Sequence, residues 1–128
     1  SPFFPVRLSN IHNKIVQVKK FMKQKDFTQF GELIEQEALE LHAIMLTSTP
    51  SLIYLLPETL RIMKAVKKWR KEGVEVYFTI NTGQNVHLIC EKKNAKKVAA
   101  LAEMIEGVQK TIINHPSDGA RVINKHLF

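Results

Sequence analysis

Between two alternating apolar runs the sequence carries five consecutive polar or glycine residues, Asn81-Thr82-Gly83-Gln84-Asn85. Two residues suffice to close a hairpin, so this turn is longer and more polar than strand closure requires. It offers carboxamide and hydroxyl groups as donors and acceptors, and Gly83 allows close approach to the backbone. Such a corner suits a phosphate or hydroxyl ligand. Asn and Gly are also common turn formers, and closing the hairpin would account for them without a ligand. Other candidates are weaker. The five histidines (His12, His42, His87, His115 and His126) have no consistent metal-ligand spacing. A metal needs converging groups, so no metal site is expected. His42 falls on the stripe of a predicted helix and reads as a buried, satisfied core histidine. The single cysteine, Cys90, lies in a predicted strand with no adjacent base identified and reads as inert. No GxSxG, GxxxxGK[ST], HExxH or GxGxxG motif occurs.

The elements that must hold this turn follow from periodicity. Val74, Val76, Phe78 and Ile80 alternate with Glu75, Tyr77 and Thr79, predicting a strand before it; Val86, Leu88 and Cys90 alternate with His87 and Ile89 in a strand after it. Upstream, Pro2 and Pro5 predict an extended lead-in. Ile11, Ile15, Val18 and Met22 then mark a helix to about Lys25, N-capped at Ser9 or Asn10. Asp26, in a capping box with Gln29, opens a second helix with an acidic outer face, ending near Thr47. Residues 52–56 read as a short turn or a buried connector. Pro57 starts a third helix that turns Ile62, Val66 and Trp69 inward and stops at Gly73. Downstream, Asn94 caps a fourth helix closed by Gly107, residues 111–113 read as a third strand, and 121–128 as a tail or edge strand. This order is not a βαβ alternation. The predicted class is α+β, one domain over residues 1–128, with a small, mainly antiparallel sheet packed by helices.

The chain is 128 residues long and 45% hydrophobic, enough for one core. No apolar run approaches the roughly 18 residues of a membrane span, so no membrane partner is expected. Ser1-Pro2-Phe3-Phe4-Pro5 has no basic n-region, and a signal peptide is not expected. One cysteine excludes a disulfide scaffold, and a reducing, cytoplasmic compartment is the expectation. The net charge of +7 favours anionic partners. Its lysines, however, are spread along helices, as solvated faces are. Without a zinc-finger, aromatic RNA-binding or GxxG motif, nucleic-acid binding is not expected.

At the turn the sequence resembles a family. Residues 74–86, VEVYFTINTGQNV, are similar to the mevalonate diphosphate decarboxylases and related phosphomevalonate decarboxylases, whose segment reads approximately Y-F-T-x-D-A-G-P-N-V. Asp26-Phe27-Thr28 with Phe30-Gly31-Glu32 resembles their D-F-x-x-F/I-G-E stretch. Residues 37–43, EALELHA, resemble E-A-L-x-M-H-A, and Pro50 to Tyr54 with Leu56-Pro57-Glu58-Thr59 resembles P-P-x-x-Y-W-x-P-E-T. Ser1-Pro2-Phe3-Phe4 is similar to the segment that opens this part of the family, and the likeness covers most of residues 1–105.

The resemblance implies the C-terminal, substrate-side domain of a GHMP kinase superfamily member. In the complete enzyme an N-terminal domain binds ATP and Mg, and the shared cleft phosphorylates the tertiary hydroxyl of a small phosphorylated mevalonate-type substrate before phosphate and carbon dioxide leave. The family's aspartate beside that hydroxyl falls on Asn81, with Thr82 and Gly83 as expected substrate contacts. Thr82 and Gln84 replace the family's alanine and proline. An amide cannot act as a general base near neutral pH, though it can orient a hydroxyl. A mevalonate-type kinase without decarboxylation, or a non-catalytic basic or dimerising module, are the alternatives. No phosphate loop is present, so the chain reads as a fragment lacking the ATP-binding domain, inactive alone and binding no cofactor by itself. The resemblance also implies a strand before the equivalent of Ser1; a domain lacking it would expose a sheet edge, which pairing with another chain, as in a homodimer, would relieve.

Overall fold

The computed structural model describes residues 1–122. Four α-helices and one two-stranded antiparallel sheet follow in the order α1 (Phe4–Gln24), α2 (Phe27–Leu46), α3 (Pro57–Lys71), β1 (Val76–Ile80), β2 (Val86–Cys90) and α4 (Ala95–Glu103). A 3-10 turn over Lys92–Asn94 leads into α4. The predicted α+β class holds.

The extended lead-in does not. α1 begins at Phe4 with Pro5 in its first turn, where the missing N–H breaks no helical bond. Phe3 takes the N-cap position, and Ser9 lies inside the helix with its hydroxyl donating to the Val6 carbonyl at 2.8 Å. Asp26 does cap α2, accepting from the Gln29 backbone N–H at 3.1 Å. The box is half made, because the Gln29 side chain bonds Glu32 instead.

Val76 pairs with Cys90 and Ile80 with Val86, which leaves 81–85 as the turn. The strand starts two residues after Val74, which is nevertheless buried. Alternate strand side chains face opposite sides. Val76, Phe78 and Ile80 join Val66 and Trp69 of α3 and Val98 and Ala102 of α4 in the main core. On the other side Tyr77 is 1% exposed. Gly31 of α2 makes room for it: a Cβ there would stand 2.1 Å from the tyrosine ring. Phe27 meets the same ring edge-on at 5.6 Å.

Three further expectations fail. In the 52–56 connector Leu52, Ile53 and Leu56 are exposed rather than buried. α4 ends at Glu103, short of Gly107. Residues 108–122 form neither helix nor strand, so the third strand at 111–113 is absent; Ile112 and Ile113 are exposed and bury no face that would hold them to a sheet. Of the predicted tail or edge strand at 121–128, residues 121–122 are irregular and the rest lies outside the described residues. No helix among the described residues is long and apolar enough to cross a membrane.

Candidate functional site

The turn is held from below by α2, which runs beside β1 in the same direction. Three contacts mark the seam in order: Gly31 against Tyr77, Glu35 on Phe78 and His42 on Asn81. Residues 31 to 42 span roughly 16 Å of helix at about 1.5 Å per residue. Residues 77 to 81 span about 13 Å of strand at about 3.3 Å per residue. The two lengths are close enough for the helix to accompany the strand to its end.

At the middle contact the Glu35 carboxylate, 7% exposed, accepts from both terminal nitrogens of Arg70 at 2.7 and 2.9 Å and from the Phe78 N–H at 3.1 Å. Arg70 also donates to the Val76 carbonyl at 2.7 Å and lies 4.5 Å over the Tyr77 ring. Side chains of α2 and α3 thus satisfy β1 backbone groups. A bidentate pair with further hydrogen bonds is the arrangement that offsets the desolvation of a buried charge.

At the upper contact His42, 4% exposed, places Nε2 3.1 Å from the Asn81 carbonyl oxygen. A carbonyl can only accept, so Nε2 carries the proton and donates. The expectation of a buried, satisfied histidine is met, and its partner is the first residue of the turn.

Beyond that anchor, Asn81, Thr82, Gly83, Gln84 and Asn85 are all exposed. Among the described residues, the backbone N–H groups of Thr82, Gly83 and Gln84 have no backbone acceptor. A Cβ on Gly83 would meet nothing within 4 Å, and its φ is not left-handed. The fold therefore does not require glycine there, and the space over this backbone is open. The turn holds no charged side chain. It can donate and accept hydrogen bonds, with exposed N–H groups suited to anionic oxygen, but holds no group that takes up a proton near neutral pH. It forms a surface corner, lining neither the groove of about 340 Å³ beside Phe21 and Phe30 nor that of about 160 Å³ between α1 and α2.

The remaining candidates stand apart. His12, His87 and His115 are exposed, and His126 lies outside the described residues. Among the described residues no three His, Cys, Asp or Glu side chains are grouped to hold a metal ion. Burial pushes the Cys90 thiol up, so it keeps its proton, and it packs against the main core. Glu35 and the partner of His42 were not foreseen. A signal existed: Gly31, Glu35, Ala38, His42 and Met45, all buried, repeat at helical spacing as one face. Glycine and alanine on that face announce a close neighbour, and polar groups there must bond to it.

Comparison with known proteins identifies the domain. A phosphomevalonate decarboxylase of Haloferax volcanii is 31% identical over 99 residues, which cover 77% of this chain and 31% of that protein. The crystal structure of mevalonate diphosphate decarboxylase from Staphylococcus aureus superposes with a TM-score of 0.76 at 36% identity, covering 79% of this chain and 30% of that one. The enzyme from Enterococcus faecalis, solved in work on ATP binding mediated by mevalonate diphosphate, gives 0.77 at 33% identity, covering 84% and 34%. The chain therefore spans about a third of the length of these relatives. The profile of the mevalonate 5-diphosphate decarboxylase C-terminal domain matches residues 1–124, and the chain belongs to that family.

Proposed function

We propose that the turn 81–85 is the substrate-facing corner of a (di)phosphomevalonate decarboxylase-type enzyme. Asn81 hydrogen-bonds the tertiary hydroxyl of a phosphorylated mevalonate, while Thr82 and the Gly83 backbone contact the hydroxyl or a neighbouring phosphate. The observation that carries this reading is the exposed, uncharged corner with open space over Gly83, anchored at Asn81 to the buried face of α2. The 128 residues carry no phosphate loop. Nucleotide chemistry on this reading belongs to a partner domain. The relative from Enterococcus faecalis binds ATP through a mechanism that mevalonate diphosphate mediates.

Asn81 also favours a second reading, phosphorylation of the same hydroxyl without decarboxylation. The residue at this corner can orient a hydroxyl but cannot hold its proton. One assay separates them. The natural full-length protein is supplied with ATP, Mg²⁺ and mevalonate 5-phosphate or 5-diphosphate, and ADP and carbon dioxide are measured together. Equal yields of both support the decarboxylase; ADP without carbon dioxide supports the kinase. Asn81→Asp is expected to raise carbon dioxide release by about 10²-fold, the scale of a restored general base. No gain in either product would mean that the turn does not meet the reacting hydroxyl.

A further inference from the structure

We propose that His42 is the positioning residue of this corner: by fixing the Asn81 carbonyl it sets where the Asn81 carboxamide and the amides of Thr82 and Gly83 stand. The proposal deepens the reading of the turn given above and rests on it for its catalytic consequence. A five-residue loop between two strands has many ways to end β1. Here Ile80 is 1% exposed and fixed in the sheet, whereas the next residue is exposed. Among the described residues, the His42 bond is the one side-chain hydrogen bond to the backbone of residues 81–85. It comes from a buried ring on a 20-residue helix, flanked on the same face by buried Ala38 and Met45. The bonded carbonyl is also the one whose carbon begins the peptide unit to Thr82. Pinning it fixes the plane that carries the Thr82 N–H and the direction of the loop beyond. A misplacement of about 1 Å in an orienting group is enough to lower a rate about 10²-fold.

The side chains suited to the test differ in reach rather than polarity. The amide nitrogen of glutamine reaches where Nε2 of histidine stands; that of asparagine stops where Nδ1 stands. His42→Gln therefore keeps the donor and His42→Asn withdraws it, while both leave a polar amide in the same pocket. The first readout is the backbone NMR spectrum of the 128-residue chain. His42→Asn is expected to shift the Thr82 and Gly83 amides and lower their order parameters from about 0.85 toward 0.6 or below. His42→Gln is expected to restore both. The β1 and β2 amides away from the turn should stay in place in each variant. Equal effects of the two variants, unmoved Thr82 and Gly83 amides, or shifts spread evenly through the core would each overturn the proposal, the last by showing a purely structural role.

The second readout is turnover by the natural full-length protein with ATP and mevalonate diphosphate. His42→Asn is expected to lower kcat at least 10-fold while the KM for ATP stays within twofold, and His42→Gln to recover most of the loss. If the unsubstituted protein turns over neither mevalonate phosphate, the reading of the turn as a reacting site fails, and the spectra still decide whether His42 positions it.

Discussion

Two carboxylates two residues apart on α2 meet opposite fates. Glu35 points inward and is 7% exposed, with every bond it makes directed at Arg70 or the Phe78 backbone. Glu37 points outward toward α1 and is 33% exposed, sharing Lys14 with Glu40 and also holding Arg7. The inner cluster is bidentate and ties α2 and α3 to the β1 backbone. The outer cluster ties side chain to side chain, and the Nη1 of Arg7 in it has no partner among the described residues. The contrast separates two uses of charge. The inner pair fixes the strand that leads to the turn 81–85; the outer one bridges α1 and α2 beside Ile11 and Val18, while Leu8, Ile15 and Met22 of α1 remain exposed.

The strongest way to break this contrast is to remove one inner partner. Arg70→Met leaves the Glu35 carboxylate buried without its counter-charge and removes the cation over Tyr77. Loss of one member of a buried pair costs about 3 to 5 kcal/mol, and the partial exposure of Arg70 puts the expectation near the lower end. The double variant Glu35→Gln/Arg70→Met should lose less, because a neutral amide oxygen still accepts from the Phe78 N–H. Urea unfolding of the three proteins decides it. A single variant no less stable than the double would show that the inner charge is not desolvated.

The second test keeps the charges and presses on the seam itself. Gly31→Ala places a Cβ against the Tyr77 ring, and the ring is held between Phe27 and Arg70. Overpacking of this kind costs about 1 to 3 kcal/mol. The loss is expected near the middle of that range, with new shifts at Tyr77 and Phe78 in the NMR spectrum. Unchanged stability would mean that α2 can slide away from β1, and the seam would not be the rigid side.

How much of this was legible in the sequence follows from the same seam. Alternation placed β1, β2 and the turn, because one face of β1 is wholly apolar. Helical spacing placed α2 and α3 for the same reason, and the motif resemblance pointed to Asn81 as the candidate corner. Periodicity missed Glu35 and Arg70 because it counts apolar residues, and these two reach the interior by neutralising each other. Arg70 lies in the last turn of α3, a favourable place for a cation by the helix dipole alone. The start of α1 was missed because Pro5 breaks a helix in its interior yet is tolerated in its first turn. The strand at 111–113 was overread: three β-prone residues mean little when no neighbour covers them.

The smallest expected effect belongs to the outer cluster, and it carries a sign. Burial pushes the Glu37 carboxyl up, but the hydrogen bonds from Lys14 and Arg7 outweigh it and hold the group below its ordinary value of 4.5. Lys14 is likewise raised above 10.5, its bonds to Glu40 and Glu37 overcoming the effect of burial. A lowered carboxyl stabilises the fold above its unfolded value and loses that contribution as pH falls through the folded one. Glu37→Gln should thus be less stable than the unsubstituted chain at neutral pH, by under about 1 kcal/mol because solvent screens a group this exposed. The gap should close as the pH drops below 4.5, and it should narrow in 1 M salt, where the screening length falls to about 3 Å. Measured by thermal unfolding between pH 7 and 3, a gap that persists in acid would mean that Glu37 acts through packing rather than charge. A gap as large as that of Arg70→Met would erase the distinction between the two sides of α2.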